Sequence, residues 1–170
     1  FAVGPNHVYW VAGPHHLATL TGQTWQMVAV PFPTTLRALA IHPQTGDLWV
    51  GGGDSTGSLA HYDGTSWQST TAIHEPITAL VIDQTGGLWV GTWDGGVYHQ
   101  PASATEPNST WTQYRTDTGL ASNLVFNAAV DDGGVCLCGD LADDVHVFQE
   151  TRAVFGLQRF CVGSVVGLKD

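Results

Sequence analysis

The stretch Ile77–Gln100 reads ITALVIDQTGGLWVGTWDGGVYHQ, and in it short apolar runs alternate with turns rich in Asp and Gly. The runs are, in chain order, Ala79–Ile82, Leu88–Gly91 and Val97–His99. Runs of this length and composition indicate strands joined by turns. Because the gaps are too short to hold a crossover helix, consecutive strands must pair antiparallel. With a further strand at Thr110–Tyr114, the stretch predicts one four-stranded antiparallel unit.

The same unit recurs on both sides of this stretch. Leu39–Gly52 (LAIHPQTGDLWVGG) repeats the first half of Ile77–Gln100. Val8–Gly13 repeats the second apolar run of that stretch. Ala128–Gly134 repeats the end of the first apolar run and the turn that follows it. A pattern that returns in this way indicates a repeat architecture, in which each unit is one element of a larger stack.

The spacing of the units identifies the architecture. The step is 39 residues from Trp10 to Trp49 and 40 from Trp49 to Trp89. It lengthens to 48 residues between Asp83 and Asp131, since residues 101–109 form an insertion. Four antiparallel strands that recur at this step predict an all-β fold, a β-propeller of four-stranded blades. We expect blades at residues 1–30, 36–70, 77–115 and 124–156, with 157–170 as the start of a further blade or a closing strand.

Two segments resemble a known propeller repeat. Asp83–Thr92 (DQTGGLWVGT), followed by Asp94–Gly96, resembles the two-component regulator propeller repeat, and Thr118–Asn123 with the turn that follows resembles it too. The resemblance covers most of residues 2–148, and the fourth unit departs from it because Leu137 stands where a tryptophan is expected. It implies an extracytoplasmic bacterial sensor region or an unattached propeller. It also implies a ring of roughly seven blades, so that the four units here are part of a larger ring.

Composition and charge restrict the partners. The formal net charge is −10, with only five Lys and Arg residues, which argues against nucleic acid or an anionic membrane as partner. No apolar run approaches the roughly 18 residues of a membrane span, so we expect no membrane insertion. The three cysteines, Cys136, Cys138 and Cys161, give neither a disulfide framework nor a metal site, and a bridge to Cys161 stays open.

The tryptophans separate into packing residues and one exception. We expect Trp10, Trp49 and Trp89 to be buried between blades, because an aromatic ring buries a large apolar area there. The outer-strand tryptophans, Trp25, Trp67 and Trp111, are also expected to pack. Trp93 differs because it lies in the loop Thr92–Gly96, where no other blade has a tryptophan. It either folds back onto its blade or stacks on a sugar or an aromatic ligand.

The candidate site residues lie in three loops that join second to third strands on one common face of the propeller. These loops are Gly52–Gly57, Thr92–Gly96 and Gly139–Asp144. The predicted ligand-binding residues are Trp93, Asp94, Asp54, Asp140, Asp143 and Asp144. No catalytic residue is assigned, because neither a nucleophile elbow nor a phosphate-binding loop is present in the sequence.

Three features of the sequence could suggest metal binding, and none of them predicts a metal site. Asp83 follows an inner strand, where the side chain of Asp commonly bonds the amides of its own turn; a ring of such acids around a cation is the alternative. The acidic Gly139–Asp144 loop could attract Ca²⁺ but lacks the EF-hand pattern. His61 and His99 are expected at equivalent positions in the third strands of separate blades, too far apart to share one ion. We therefore expect no cofactor.

The sequence favours a non-enzymatic propeller module for ligand sensing or protein binding, located in the periplasm or outside the cell. Its partners would be a small molecule, a glycan or a protein, together with a second copy or further blades that close the ring. A propeller lyase or hydrolase acting on glycans or small molecules is the alternative from another class, and a scaffold or oligomerisation domain is the third. The fold alone does not choose among them.

Overall fold

The computed structural model describes residues 1–102, 110–120, 122–131, 134–141 and 144–150; for residues 6, 131, 134, 136–141 and 144–150 it describes the backbone alone. Within these ranges the chain is all β, with two single-turn 3-10 helices at Pro5–His7 and Thr116–Thr118 and no α-helix. The end of the fourth expected blade, residues 151–156, and the expected further blade or closing strand at 157–170 lie outside the described residues. No helix in the described part has the length and apolarity needed to cross a membrane.

The strands form four separate antiparallel sheets, and each sheet is one blade with its strands side by side in chain order. Blade one consists of β1 (Ala2–Val3), β2 (Tyr9–Gly13), β3 (His16–Thr21) and β4 (Thr24–Val28). Blade two consists of β5 (Leu36–Ile41), β6 (Leu48–Gly52), β7 (Ser58–Tyr62) and β8 (Trp67–Thr70). Blade three consists of β9 (Ile77–Ile82), β10 (Leu88–Thr92), β11 (Val97–Gln100) and β12 (Thr112–Tyr114). Blade four is described for β13 (Val125–Asp131), β14 (Gly134–Leu141) and β15 (Asp144–Glu150).

The first strands of neighbouring blades pack side by side, β1 against β5, β5 against β9 and β9 against β13. They therefore form the inner side of the propeller, and the later strands of each blade lie progressively further out. This arrangement confirms the predicted class of fold. It also explains why β10 (LWVGT) is buried along its whole length: a strand of a central blade is covered on both faces, so its buried residues do not alternate with exposed ones.

Hydrophobic clusters hold successive blades together. Between blades one and two the cluster includes Trp10, Leu17, Leu48, Val50 and Ala60. Between blades two and three it includes Ala38, Leu59, Leu80, Leu88 and Val90. Between blades three and four it consists of Trp89, Val97, Val125 and Val135. Burying one such aliphatic side chain contributes roughly 1.5–3 kcal/mol, so the interfaces between blades are the main source of stability.

The second-strand tryptophans have the predicted environment. Trp10 and Trp89 are 9% and 6% exposed, and Trp49 is partly buried against the core between blades two and three. His61 and His99 lie on third strands as predicted, and their rings pack against the indoles of Trp49 and Trp89 at centroid distances of 4.7 Å and 4.0 Å. These aromatic pairs fill the outer part of each interface.

The outer-strand tryptophans do not all pack as predicted. Trp67 and Trp111 lie partly buried against the inter-blade cores, but Trp25 is 51% exposed. The prediction of a packed Trp25 is therefore wrong within the described residues. The physical reason is position: Trp25 lies on the face of blade one that no described blade covers.

Candidate functional site

One end of the blades carries both the loops between second and third strands and the crossovers between blades. Backbone hydrogen bonds join the two sets, from Gly53 N to Thr35 O and from Trp93 N to Pro76 O, each at 2.9 Å. We call this end the upper face. The loops at 53–57 and 93–96 both lie on it, and they carry the candidate residues Asp54, Trp93 and Asp94.

The loop after β10 is fixed by hydrogen bonds that do not involve its tryptophan side chain. Thr92 is fully buried, and its hydroxyl donates to Gly96 O at 2.8 Å and accepts from Gly95 N at 2.9 Å. Gln113 Nε2 donates to Gly95 O at 2.8 Å. The loop is thus bonded to its own strand and to the outer strand, and the side chain of Trp93 extends from a backbone whose shape is already set.

The two glycines of this loop are required by close contacts. Gly96 has a positive φ of 77°, and a Cβ there would lie 2.1 Å from Tyr114 O. A Cβ on Gly95 would lie 2.7 Å from the carboxyl carbon of Glu75. Because only glycine adopts this φ without strain and leaves this space free, the sequence Trp-Asp-Gly-Gly encodes one tight loop geometry.

Trp93 is exposed and pairs with a second exposed aromatic residue. Its side chain is 54% exposed and that of Phe126 is 44% exposed. Their ring centroids are 6.0 Å apart with an interplanar angle of 79°, an edge-to-face contact. Trp93 therefore does not fold into the core of its blade, and an apolar platform spans blades three and four on the upper face.

Phe126 reaches this position because of a β-bulge that recurs in three blades. The pairing of each inner strand with its second strand shifts register by one residue, which leaves Arg37, Thr78 and Phe126 as the extra residues. Such a bulge re-aims one side chain. Arg37 Nε donates to Gly53 O at 3.2 Å, and the Thr78 hydroxyl donates to Val125 O of the next blade. The sequence analysis did not predict these three bulge positions. The one signal in the sequence was the unbroken apolar run that includes Phe126, at the start of the inner strand of blade four.

A buried phenol supports the same loop from below. Tyr98 is 7% exposed, and its hydroxyl donates to Glu75 Oε2 at 2.9 Å. Burial, together with the hydrogen bond and negative charge of Glu75, raises the pKa of Tyr98 to about 12. The phenol therefore stays protonated at neutral pH, where it acts as a hydrogen-bond donor that joins the crossover before β9 to the third strand.

The predicted acids Asp54 and Asp94 are both exposed on loops of the upper face. A side-chain hydrogen bond from Thr35 lowers the pKa of Asp54 below its usual value, although desolvation opposes this shift. Asp94 is the direct neighbour of Trp93, so one carboxylate lies next to the aromatic platform. Asp54 belongs to blade two and has no adjacent exposed aromatic residue in its loop.

The other predicted acids do not share a loop in the way expected. Asp140 lies in β14 opposite Val145, and Asp144 begins β15 opposite Leu141. The expected loop from Gly139 to Asp144 is therefore wrong for these two residues. The antiparallel pairing of β14 with β15 continues past Gly139 as far as Leu141 and Asp144. Asp143 lies outside the described residues.

Asp83 binds its own turn, as the simpler interpretation predicted. Its Oδ1 accepts from Thr85 N at 2.8 Å, from Thr85 Oγ1 at 2.6 Å and from Gly87 N at 2.9 Å, and its Oδ2 accepts from Trp89 Nε1 at 2.8 Å. Burial raises its pKa, but these hydrogen bonds outweigh it and hold the pKa of Asp83 below its usual value. His99 Nε2 lies 3.8 Å from Oδ2, too far for a hydrogen bond, and burial lowers the pKa of His99 despite that neighbouring charge.

Blade two builds the same corner from different residues. His42 replaces the inner-strand aspartate, and its Nδ1 accepts from Gln44 N at 3.4 Å and Thr45 N at 3.2 Å. The carboxylate of this corner comes instead from Asp47, at the end of the turn, whose Oδ2 lies 3.3 Å from His61 Nε2. The corner therefore supports the second-strand tryptophan in both blades, which is a packing role. Among the described residues no group of three His, Cys, Asp or Glu side chains is arranged to hold a metal ion.

A separate cavity of about 600 Å³ opens at the outer edge of blade one. His15 and His16 line one side of it, and residues 27–33, mostly apolar and including Met27 and Phe32, line the rest. None of the predicted site residues belongs to this cavity. It adjoins the uncovered face of blade one instead of the Trp93 loop.

Comparison with known proteins supports the repeat and the fold. The family described as two component regulator propeller matches residues 72–94, which confirms the resemblance for the repeat that ends in the Trp93 loop. None of the curated proteins compared with this chain matches it.

Solved structures of larger propellers resemble the chain at low identity. An extracellular domain from B. thetaiotaomicron, assigned to a hybrid two-component system, is 15% identical with a TM-score of 0.63, over 84% of this chain and 20% of that one. A second structure, assigned to a one-component system of that organism, is 15% identical with a TM-score of 0.64, over 86% and 23%. PorZ, a surface component of the type-IX secretion system of Porphyromonas gingivalis, is 17% identical with a TM-score of 0.60, over 93% and 26%. The chain thus spans about a fifth to a quarter of these structures, and the likeness establishes the fold alone.

Proposed function

We propose that this chain is part of a non-enzymatic, extracytoplasmic propeller that binds its ligand on the upper face, at Trp93 and Phe126. One observation carries the proposal: a loop held by Thr92, Gly95 and Gly96 presents an indole that is 54% exposed. A tryptophan that is not needed to fix its own loop, and that leaves half its surface in water, gains little for folding. Exposed aromatic residues on a rigid frame are typical of binding sites.

The chemistry of the platform suggests the type of ligand. The indole and phenyl rings offer an apolar surface, and Asp94 adds one acceptor beside it. This combination suits a ligand with a flat apolar side and hydroxyl or amide donors at its edge, such as a sugar ring of a glycan or a side chain of a protein partner. Neither a cofactor nor a metal enters the proposal.

The location follows the family resemblance. The repeat at residues 72–94 matches two-component regulator propellers, and the named structural relatives are extracellular domains or a surface component. A periplasmic or extracellular position would expose the upper face to ligands from the environment. Any signalling output would come from other parts of such a system.

The test is binding to glycan and peptide arrays by the wild-type chain and by single variants. Trp93→Ala and Phe126→Ala should each weaken binding to the best array ligand at least tenfold, a loss of about 1.4 kcal/mol. Asp94→Asn should weaken it less, because one hydrogen bond is lost.

The matched control is Trp25→Ala, which removes a tryptophan of similar exposure, 51%, from a different face. This variant should bind as the wild-type chain does. Equal loss in the Trp25 and Trp93 variants would indicate non-specific adhesion, and undiminished binding by Trp93→Ala would contradict the proposed site.

A further inference from the structure

The rings of Trp93 and Phe126 form a corner on the upper face. Their interplanar angle is 79° at a centroid distance of 6.0 Å, so the two ring planes meet almost at a right angle. Both side chains are exposed, by 54% and 44%. The face of an aromatic ring carries the negative part of its quadrupole. A group that enters this corner therefore meets two electron-rich surfaces, an arrangement that attracts a cation.

Two carboxylates adjoin the corner. Asp94 is exposed and follows Trp93 directly in the loop. Glu75 lies against the same loop from the crossover before β9, because a Cβ on Gly95 would lie 2.8 Å from Glu75 Oε2. The backbone joins the two segments as well, through the hydrogen bond from Trp93 N to Pro76 O at 2.9 Å. Negative charge is thus built into the frame that presents the indole.

The contacts of Glu75 orient its carboxylate and leave its charge in place. Its Oε2 accepts a hydrogen bond from the hydroxyl of Tyr98 at 2.9 Å, and burial is the main reason why the pKa of this phenol is raised to about 12. The donor is therefore neutral at pH 7. Among the described residues, the ion-pair contacts are those of Asp47 and Asp83 with histidines. No basic side chain in that part of the chain neutralises Glu75 or Asp94.

The neighbouring crossover does not reverse this sign of charge. It joins the Trp93 loop through a hydrogen bond from Gly96 N to Asn123 O at 2.8 Å. Its charged residues are Arg115 and Asp117, one of each sign. The two carboxylates at the corner therefore remain as local negative charge, in a chain whose formal net charge is −10.

We infer that the group received at the Trp93–Phe126 corner is an organic cation, the ammonium or guanidinium head of the ligand. This inference rests on the proposed function and narrows its ligand class. A cation gains contact with both ring faces, and the carboxylates of Glu75 and Asp94 balance its charge where the rings displace water from it. An anionic group would meet like charges there, and a neutral group would gain only the apolar contact. The same chemistry can come from a free amine or from a Lys or Arg side chain of a protein partner.

The experiment uses two pairs of probes that differ in charge but closely match in shape. Choline is paired with its neutral isostere, in which carbon replaces the ammonium nitrogen. A blocked Gly-Arg-Gly peptide is paired with the same peptide carrying citrulline, whose urea group is neutral. NMR titration of the isotope-labelled full chain follows the backbone N–H signals of Gly95 and Gly96 and gives a Kd for each probe. In at least one pair, the cation should bind at least about threefold more tightly than its neutral partner.

Three variants separate the rings from the charges. Trp93→Leu keeps an apolar side chain but removes the ring face. Asp94→Asn and Glu75→Gln each remove one charge, and the amide oxygen in the second variant can still accept the hydrogen bond from Tyr98. Each variant should weaken binding of the cation at least about twofold. Asp94→Asn and Glu75→Gln should leave the Kd of the neutral probe unchanged.

The matched control is Asp63→Asn, which removes one charge from the turn between β7 and β8, at the opposite end of blade two from the upper face. Asn keeps a side-chain oxygen for the N–H groups of Thr65 and Ser66, which Asp63 Oδ1 accepts at 2.8 Å and 2.7 Å. This variant should bind all four probes as the wild-type chain does. An equal loss of cation binding in Asp63→Asn and Asp94→Asn would mean that only the net charge matters, and the inference would be wrong.

The results also identify the source of the cation. A preference in the choline pair indicates a free ammonium compound, and a preference in the peptide pair alone indicates a basic side chain of a protein partner; both support the inference. Equal Kd values within each pair, or no binding of any probe, would overturn it. A neutral array ligand whose binding depends on Trp93 would in that case leave the proposed function standing, so the two can fail separately.

Discussion

At the scale of single residues, two tryptophans four positions apart have opposite roles. Trp89 is 6% exposed and donates its indole N–H to Asp83, whereas Trp93 is 54% exposed and contacts only the edge of Phe126 among described rings. The difference arises because Trp89 lies in a strand between two blades and Trp93 lies in the loop that follows. Residue type alone predicts neither role.

This contrast predicts the effects of two substitutions on stability. Trp93→Ala should lower the free energy of unfolding by about 1 kcal/mol or less, since an exposed aromatic contact is worth roughly 0.5–1.5 kcal/mol. Trp89→Ala should cost about 3–5 kcal/mol, because a buried ring leaves a cavity. Chemical denaturation followed by circular dichroism measures both. Similar losses in the two variants would mean that Trp93 belongs to the core.

Asp83 predicts a specific pH dependence. Because its pKa is lowered in the folded state, its ionised form stabilises the fold above the usual Asp pKa of about 3.9. That contribution is lost as the pH falls through the lower, folded pKa. Asp83→Asn should therefore reduce the free energy of unfolding at pH 7 by about 1–3 kcal/mol. The free energy of unfolding of this variant should also fall less steeply than that of the wild-type chain as the pH is lowered.

Urea denaturation at a series of pH values from 7 down to 2.5 measures this effect. Asp94→Asn is the matched control, since Asp94 is exposed and leaves the Asp83 corner intact. The control should keep the steep decline of the wild-type chain. If Asp83→Asn kept the same decline, the acid sensitivity would come from other carboxylates.

At the scale of elements, the turns and bulges decide which side chains reach the upper face. The loop 93–96 is set by glycines, and the bulges at Arg37, Thr78 and Phe126 redirect the first part of three inner strands. Thr78 also bonds the backbone of the next inner strand through Val125 O. The bulge therefore serves both to join blades and to present a side chain.

Two glycines with similar backbone angles predict different costs of substitution. Gly96 has φ +77° and no room for a Cβ, whereas Gly64 has φ +90° and nothing within 4 Å of a Cβ. Gly64→Ala should cost about 1 kcal/mol for the left-handed backbone alone. Gly96→Ala should cost clearly more, because Tyr114 O must also move. Melting temperatures of the two variants decide this, and equal shifts would contradict the close contact.

At the scale of the whole molecule, the covered and uncovered faces of equivalent blades can be compared directly. Val11→Glu and Val50→Glu change corresponding positions that are 42% and 0% exposed. Val11→Glu should change stability by about 0.5 kcal/mol or less, whereas Val50→Glu buries a charge and should cost more than about 4 kcal/mol. A large loss for Val11→Glu would show that another part of the protein covers the side of blade one that faces away from blade two.

Closure of the ring predicts the behaviour of the isolated chain in solution. The side of blade one away from blade two is apolar, and no other described blade covers it. Such a face favours association, so light scattering should detect oligomers that grow with concentration, and Val11→Glu should reduce them. Glu in place of Gln26, on the same strand but on the opposite side of the sheet, is the control. A stable monomer with blades one and four in contact would mean that four blades close the ring.

The repeat alone determined much of this protein. The recurrence of Trp10, Trp49 and Trp89 at steps near 40 residues fixed the blades, their strand order and the burial of these three rings, because each unit must bury its apolar faces on its neighbours. The turn role of Asp83 and the third-strand positions of His61 and His99 followed from the same register.

Only the tertiary structure decided the rest. The bulge that brings Phe126 to Trp93 arises from pairing between strands, and the exposure of Trp25 depends on whether another blade lies beside blade one. Trp25 and Trp67 are equivalent in sequence and register, yet within the described residues only Trp67 has a neighbouring blade to pack against. Burial is a property of both partners of an interface, so one unit of a repeat cannot specify it.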